Sequence, residues 1–380
     1  MALSEIFIND FRNLAKVELQ PLTRGFNFLY GQNGSGKTSF LEALYYLGHR
    51  RSFRCLSAER LIRYNSDRFN VFSSINDQNG QAIPMGVERL QEGDFRVRIN
   101  GEDIATISEL AAFLPIRLIN VHSHHLLEGS PSFRRKYLDW GIFYHNQEFN
   151  AVWLRFKRLL KQRNAALRMR ASPGELLSWT GEFAEAALRF HQLRLDYLGQ
   201  LLPFLRAILS KGLSPFLDLS ELSIDYQPGW DLRESYSELL AATLFKDLER
   251  GHTHYGPHRA DLCLKINRIS AKEVLSTGQQ KLLVCGMIFA QGALLAKLVN
   301  KRPIYLIDDL PAELDLQSRS WLISTLAEQQ AQIFVTAVEQ EAMSGILAQV
   351  GSPVKMFHVK HGTITEMSSS EQDKNSIRLL

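Results

Sequence analysis

The chain has 380 residues, enough for two or three domains with sizeable cores, and its 45% apolar and 22% charged residues are those of an ordinary globular protein. A net charge of +4 permits an anionic partner without demanding one, and three scattered cysteines (Cys55, Cys263, Cys285) exclude a disulfide framework or a zinc knuckle and point to a reducing cytoplasm. The opening run MALSEIFINDF has no basic stretch followed by an apolar core, and no apolar run reaches about 18 residues without a charge, so neither a signal peptide nor a membrane span is expected.

Strands are expected at 5–8, 17–19 and 26–30. The third is aromatic and apolar enough to be buried. It leads into GQNGSGKT at 31–38, which fits the phosphate-loop pattern of Gly, four residues, Gly, Lys and Ser or Thr. Beyond it Phe40, Leu41, Leu44 and Leu47 form one stripe of an amphipathic helix. Strand, glycine loop and helix is the context that the motif needs. In such a loop the backbone N–H groups of Gly31, Gln32, Asn33, Gly34, Ser35 and Gly36 wrap a phosphate, the three glycines removing Cβ clashes. The helix points its positive end at the same anion. Lys37 adds a point charge for the β- and γ-phosphates, and Thr38 offers a hydroxyl to Mg²⁺. ATP with Mg²⁺ is the expected ligand.

A basic patch, HRRSFR at 49–54, follows, with Arg50, Arg51 and Arg54 as candidates for gripping DNA, for the nucleotide or for core packing. Strands at 69–75, 81–87 and 95–99 are separated by hairpin turns, and 116–121 is a short apolar strand. Ser130 as N-cap and Pro131 at the first helical position open a helical region over 131–212, broken near 172–174. Within it, 151–170 carries Arg155, Lys157, Arg158, Lys161, Arg163, Arg168 and Arg170 and no acidic residue. That is either a solvated helix face or a polyanion surface; the first five are the DNA-binding candidates. A strand at 222–226 and a helix at 236–250 close the region.

From 251 the α/β character returns: a strand at 260–266, a helix at 276–299, a strand at 304–308, a helix at 316–329, a strand at 332–337, a helix at 339–350, a hairpin around 361–362 and a frayed tail at 368–380. The expected organisation is an α/β nucleotide lobe split into 1–129 and 251–367, with an inserted, mainly α-helical lobe at 130–250.

Two further blocks carry chemistry. IYLIDD at 304–309 is an apolar strand ending in two carboxylates. Downstream of a phosphate loop this is a Walker B element, in which Asp308 holds Mg²⁺ and Asp309 orients or deprotonates the attacking water. LSTGQQK at 275–281 spans a helix start, with Ser276 as a natural N-cap and Gly278 allowing close backbone approach, so a second helix end is prepared for an anion. The order of phosphate loop, Ser-x-Gly-Gln, paired carboxylates and Leu-Asp resembles the ABC-type ATPases, whose fold, a split head with a mixed β-sheet, is then implied. By that resemblance Ser276, Thr277, Gly278 and Gln279 form the signature motif, which contacts the γ-phosphate held by another subunit, and Asp315 matches the D-loop. An ATP-dependent homodimer is implied. Asp309 is one methylene shorter than the glutamate usual there, which implies slow turnover.

The chain further resembles the RecF family of bacterial recombinational repair. The resemblance rests on NDFRN at 9–13, the phosphate loop with LEA at 41–43, GSP at 129–131 with Arg134, Arg135, Leu138 and Asp139, YGPHR at 255–259 with Asp261, the 276–281 block, and Asp308 and Asp309 with Glu313, Leu314 and Asp315. It implies a cytoplasmic, ATP-dependent protein that binds single- and double-stranded DNA, dimerises on it, works with RecO and RecR to load recombinase at gaps, and supports replication restart and the SOS response. The family's Pro-Glu past the 116–121 strand is replaced by Val121 and His122, and Thr336 stands where transporters carry a switch histidine. His122, His124 and His125, and His252, His254 and His258, have no neighbouring ligand set in sequence, so no metal centre is expected. The role of His258 stays open. Two rival readings are a DNA-binding scaffold with structural ATP and a transporter nucleotide-binding subunit.

Overall fold

The computed structural model describes residues 1–55, 57–77, 80–213, 218–309, 314–340 and 351–367. Nearly all of the helix expected at 339–350, the 368–380 tail and Glu313 lie outside these. The chain divides into two compact units, 1–123 with 300–380, and 124–299. The segment 251–299, expected with the nucleotide lobe, groups with the helices instead.

In the first unit the leading run forms β1 (Ala2–Phe11), β2 (Leu14–Leu19), β3 (Gly25–Tyr30), α1 (Lys37–His49), β4 (Arg68–Asn76), β5 (Ala82–Leu90), β6 (Phe95–Ile99), β7 (Glu102–Asp103), α2 (Ile107–Phe113) and β8 (Ile116–Ile119). In this unit's own second run come β12 (Ile304–Ile307), α12 (Leu316–Glu328), β13 (Gln332–Ala337), β14 (Val354–Lys360) and β15 (Thr363–Glu366). One six-stranded sheet is antiparallel, in the order β2-β1-β4-β5-β6-β7. Along β1, Ile6 and Ile8 are fully buried while Phe7 and Asn9 face the other side, the alternation of a one-sided sheet. The other sheet runs β15-β14-β3-β13-β12-β8 and is parallel except for the β14–β15 hairpin. Its β12 and β13 are buried at every position, as strands covered on both faces must be.

Helix α1 shares a core with both sheets: Phe40, Leu41, Leu44 and Leu47 join Ile6, Ile8 and Val71 of one and Leu306 and Phe334 of the other. The single apolar stripe expected for α1 therefore understates its burial, since Ser39, Glu42 and Tyr46 are buried too. Gln332 stitches the sheets together, accepting from Leu3 N–H at 2.8 Å and donating to Leu3 and Leu22 carbonyls at 2.7 and 2.8 Å. Helix α2 was not expected. Its signal was present: Thr106 caps the N–H of Glu109, a Thr-x-x-Glu start.

The second unit contains α3 (His125–Glu128), α4 (Pro131–His145), α5 (Phe149–Arg168), α6 (Pro173–Ser178), α7 (Thr180–Gly212), β9 (Leu222–Gln227), α8 (Tyr236–Ala242), α9 (Leu244–Arg250), β10 (Asp261–Ile266), β11 (Ile269–Ser270), α10 (Ala271–Val274) and α11 (Thr277–Val299). The region 131–212 has an additional break between α4 and α5, where Asn146 accepts the N–H of Glu148. Antiparallel pairing of β9 with β10 places 222–227 and 261–266 in one small sheet. Helix α11 is long and apolar enough by length and composition to cross a membrane, although Lys281 and Lys297 interrupt its apolar run; 282–292 is buried and the helix packs along α7 as a core element. At Gly141 of α4 an added Cβ would overlap the Tyr197 ring of α7, so glycine sets that helix spacing.

Candidate nucleotide site

The phosphate loop lies at the C-terminal end of β3 and wraps onto the first turn of α1. Gly36 precedes the helix at φ 122°, and no side chain caps the helix start or places an acid in its first turn. The free N–H groups there are left for an anion. Gly31 is required sterically: a Cβ would run into the carbonyl of Val359 on β14. The β14–β15 turn supports the loop from below through Gly362 N–H to Ser35 O at 2.8 Å. Sequence reading found that hairpin but not its task.

A cavity of about 580 Å³ opens over the loop, lined by Asn33, Gly34, Gly36, Lys37, Thr38, Asp308 and Asp309 among others. The adjacency of β3, β13 and β12 brings these together across some 270 positions. Thr38 Oγ1 donates to Asp308 Oδ1 at 2.9 Å. Lys37 is buried and Nζ donates to the Gly31 and Gln32 carbonyls at 2.6 and 3.0 Å. Burial lowers its pKa from the ordinary lysine value, against the pull of Asp309 and Asp308. Asp308 is pushed above the usual carboxylate range by burial and by Asp309, although the Thr38 and Thr336 hydroxyls oppose this. A half-buried acid flanked by a hydroxyl, with a second carboxylate beside it, is a set of hard oxygen donors that suits Mg²⁺.

Thr336, at the end of β13, ties this cluster together. Its hydroxyl donates to Asp308 Oδ1 at 3.0 Å and accepts the N–H of Asp309 at 2.8 Å. Asp309 takes the left-handed φ of 54° and is exposed to the cavity, the placement a water-activating carboxylate needs. Sequence reading noted Thr336 only as a missing histidine. It also missed Arg12 and Asn13, which form the β1–β2 turn and line the cavity; Asn13 Nδ2 holds the Gly34 carbonyl at 3.1 Å. Of the basic patch, Arg54 lines the same cavity, whereas Arg50 stacks on Phe95 at 3.7 Å and Arg51 reaches the Tyr45 hydroxyl.

In the other unit Ser276 caps α11. Its N–H bonds Gln279 Oε1 at 2.9 Å, and its Oγ accepts from Gln279 N–H at 3.4 Å. Ser276 and Thr277 are exposed, and a Cβ on Gly278 would meet no atom within 4 Å. Asp315 caps α12, accepting Ser318 N–H at 2.7 Å, and that bond lowers its pKa.

The basic run on α5 does not behave as one set. Arg155, Lys157, Arg158 and Lys161 are exposed, Arg155 being drawn to Glu182 and Glu185 at 3.4 and 3.3 Å and Lys157 lying 4.2 Å from the Trp153 ring. Arg163 must be removed from the DNA-binding candidates. It is 2% exposed and bonds Asp247 and Thr253 at 2.8 and 2.6 Å inside the unit. His258 donates from Nε2 to the Thr253 carbonyl at 2.9 Å in its neutral form, and burial lowers its pKa to about 4. Among the described residues no group of three or more His, Cys, Asp or Glu is arranged to hold a metal.

A nucleotide cavity on a parallel sheet beside an antiparallel one, with a capped signature helix in a helical unit, defines the class: an ABC-type ATPase head. Residues 2–365 match the family described as "RecF/RecN/SMC N terminal domain". The fold is shared with an Smc head bound to the C-winged helix domain of ScpA (TM-score 0.61, 15% identity, 98% of this chain and 100% of that one) and with the recombination mediator RecF-ATP of the RecFOR pathway (TM-score 0.81, 24% identity, 97% and 98%). The DNA replication and repair protein RecF of Shewanella denitrificans is 42% identical over 96% of this chain and 99% of its own length. The chain belongs to the RecF family.

Proposed function

We propose that the protein is an ATP-dependent, DNA-binding homodimer acting in DNA replication and recombinational repair, with weak and slow ATP hydrolysis that times release from DNA. The observation that carries this reading is the division of the site. The chain has a phosphate cavity with Lys37, Thr38 and Asp308 and, on its other unit, a signature helix that opens on the exposed Ser276 and Thr277. A second copy facing the first would supply to each cavity the helix end that the γ-phosphate needs.

In this mechanism Gly31 to Gly36 and the α1 N-terminus bind the phosphates, and Lys37 exchanges loop carbonyls for phosphate oxygens. Thr38 and Asp308 would hold Mg²⁺, which when bound neutralises phosphate charge. Asp309 orients the attacking water, and Thr336 fixes where Asp309 starts. The short reach of Asp309 favours slow turnover. Arg155, Lys157, Arg158 and Lys161 contact DNA phosphates without reading sequence. Cooperation with RecO and RecR, the loading of recombinase at gaps, SOS induction and a cytoplasmic location follow from the family reading, and the structurally similar recombination mediator RecF-ATP belongs to the RecFOR pathway.

Sedimentation with and without ATP and DNA tests the dimer. Wild type should dimerise with ATP on DNA, and Lys37→Met should not. Mixing Lys37→Met with Ser276→Arg should restore hydrolysis that neither has alone, because one intact composite site re-forms. Full hydrolysis by a strictly monomeric wild type would sink the proposal.

A further inference from the structure

Glu42 lies on α1, four residues beyond Thr38 and so on the same helical face. Its side chain is fully buried. A buried carboxylate is costly unless it is paired, and Glu42 is paired three ways. Arg12 meets it with a two-pronged fork, Nε to Oε2 at 3.0 Å and Nη2 to Oε1 at 2.9 Å. Arg54 Nη1 stands 3.7 Å from Oε2, and Ser52 Oγ donates to Oε1. Arg12 and Arg54 both line the phosphate cavity; Glu42 does not.

The backbone carries a second sign of purpose. Arg12 occupies φ 57° in the β1–β2 turn, a left-handed conformation that disfavours a long side chain. Its N–H is fixed to Leu61 O at 2.7 Å, and Nη1 reaches Arg60 O at 3.1 Å. Glycine would relieve the strain but would lose the fork. Burial by itself would lower the Arg12 pKa; the hydrogen bonds to Glu42, the Glu42 charge and Cys55 together outweigh it and raise the pKa above the ordinary arginine value.

We infer that Glu42 is a positioning residue for the nucleotide: it holds Arg12 and Arg54 as a fixed pair of cations on the cavity wall, so that triphosphate affinity depends on a carboxylate that touches no ligand. The inference rests on the nucleotide reading above and adds to it a sign that simple electrostatics would get wrong. Removing a negative charge beside an anion site should, by charge alone, tighten binding. If Glu42 works by positioning, Glu42→Gln loosens it, because the freed arginines must be ordered anew by the ligand.

The test is ATP affinity by calorimetry on the full chain, for wild type, Glu42→Gln, Arg12→Ala and the double variant, with melting midpoints recorded for each. Glu42→Gln should weaken ATP about tenfold, and the double variant should lose less than the product of the two single losses, since Glu42 acts in part through Arg12 and in part through Arg54. The KM for hydrolysis should rise with kcat nearly unchanged. Arg12→Lys provides a version that leaves Glu42 compensated: a lysine cannot make the fork, so ATP should weaken with the midpoint unmoved. Unchanged or tighter ATP binding by Glu42→Gln or Arg12→Lys, or losses that multiply in the double variant, would overturn the inference. Lys37→Met separates the failures: wild type that binds no better than Lys37→Met sinks the nucleotide reading itself.

Discussion

Arg163 distinguishes a DNA contact from a structural charge. Both partners of the Arg163–Asp247 pair are buried, at 2% and 1% side-chain exposure. Arg163→Met removes the cation and leaves the Asp247 charge enclosed. Breaking a buried pair in this way costs about 3–5 kcal/mol. The lower end applies here, because Asp247 Oδ1 keeps the N–H and Nδ1 of His254 at 3.0 and 3.1 Å. For a body of this size about 3 kcal/mol lowers the melting midpoint by on the order of 10 °C. The guanidinium is itself poorly used, with Nε and Nη2 lacking hydrogen-bond partners. Arg163→Met with Asp247→Asn should therefore recover part of the loss, since the neutral amide keeps Oδ1 for the His254 N–H and no longer leaves a buried charge uncompensated. Urea unfolding gives the stabilities, and DNA affinity at one fixed salt concentration gives the function. Both variants should bind DNA like wild type when folded. Unchanged unfolding with a tenfold loss of DNA affinity would refute the structural assignment and return Arg163 to the DNA surface.

Thr336→Val keeps shape but loses the hydroxyl that holds Asp308 and the Asp309 N–H; hydrolysis should fall about 10- to 100-fold with ATP affinity retained, and Thr336→Ser should restore it. Equal rates for Val and wild type in a steady-state assay would count against the bridge. Acid should destabilise the fold through His49 and His258, whose pKa values burial lowers from 6.5 to about 3 and about 4. The unfolded chain binds these protons below pH 6.5 and the folded one does not, so stability present above that pH is lost as pH falls toward 4, by up to about 1.4 kcal/mol per unit for each histidine. Melting midpoints should drop between about pH 7 and pH 5, and a flat profile would contradict the buried neutral form.

What could be read from sequence followed from local rules. The phosphate loop declares itself because only glycines tolerate the φ values there, 78° at Gly34 and 122° at Gly36. The strand before Asp308 is legible because a doubly covered strand is apolar throughout. Arg163 was misread because charge on a helix says nothing about its face until the partner is known. Its position repeats the burial of Phe156 and Leu159 along α5, a period that could have flagged it. Asp247 lies 84 positions away, and no local pattern links them. Arg12 and Thr336 were missed for the same reason, since each matters through residues distant in sequence: Thr336 meets Asp308 by the pairing of β12 with β13, and Arg12 meets Glu42 by the packing of α1 against the antiparallel sheet. The lobe boundary shifted because β9 and β10 pair across the expected junction at 250.

The cavity is a site with charges in the wrong company until a ligand arrives. On one side are Lys37, Arg12 and Arg54; on the other, Asp308 and Asp309. Lys37 is held by two carbonyls, and burial disfavours its charge; burial likewise disfavours the charge on Asp308. A triphosphate alone answers the cations but crowds the two carboxylates, while a divalent cation alone answers the carboxylates and repels the lysine. Only the two together satisfy both sets. The melting midpoint should therefore rise with Mg-ATP by more than the sum of the rises with each alone, and Asp308→Asn should raise the share recovered by ATP without Mg²⁺. Additive shifts in a thermal scan would mean that the two charge sets are independent, and the coupling argued from Thr38, Asp308 and Lys37 would fail.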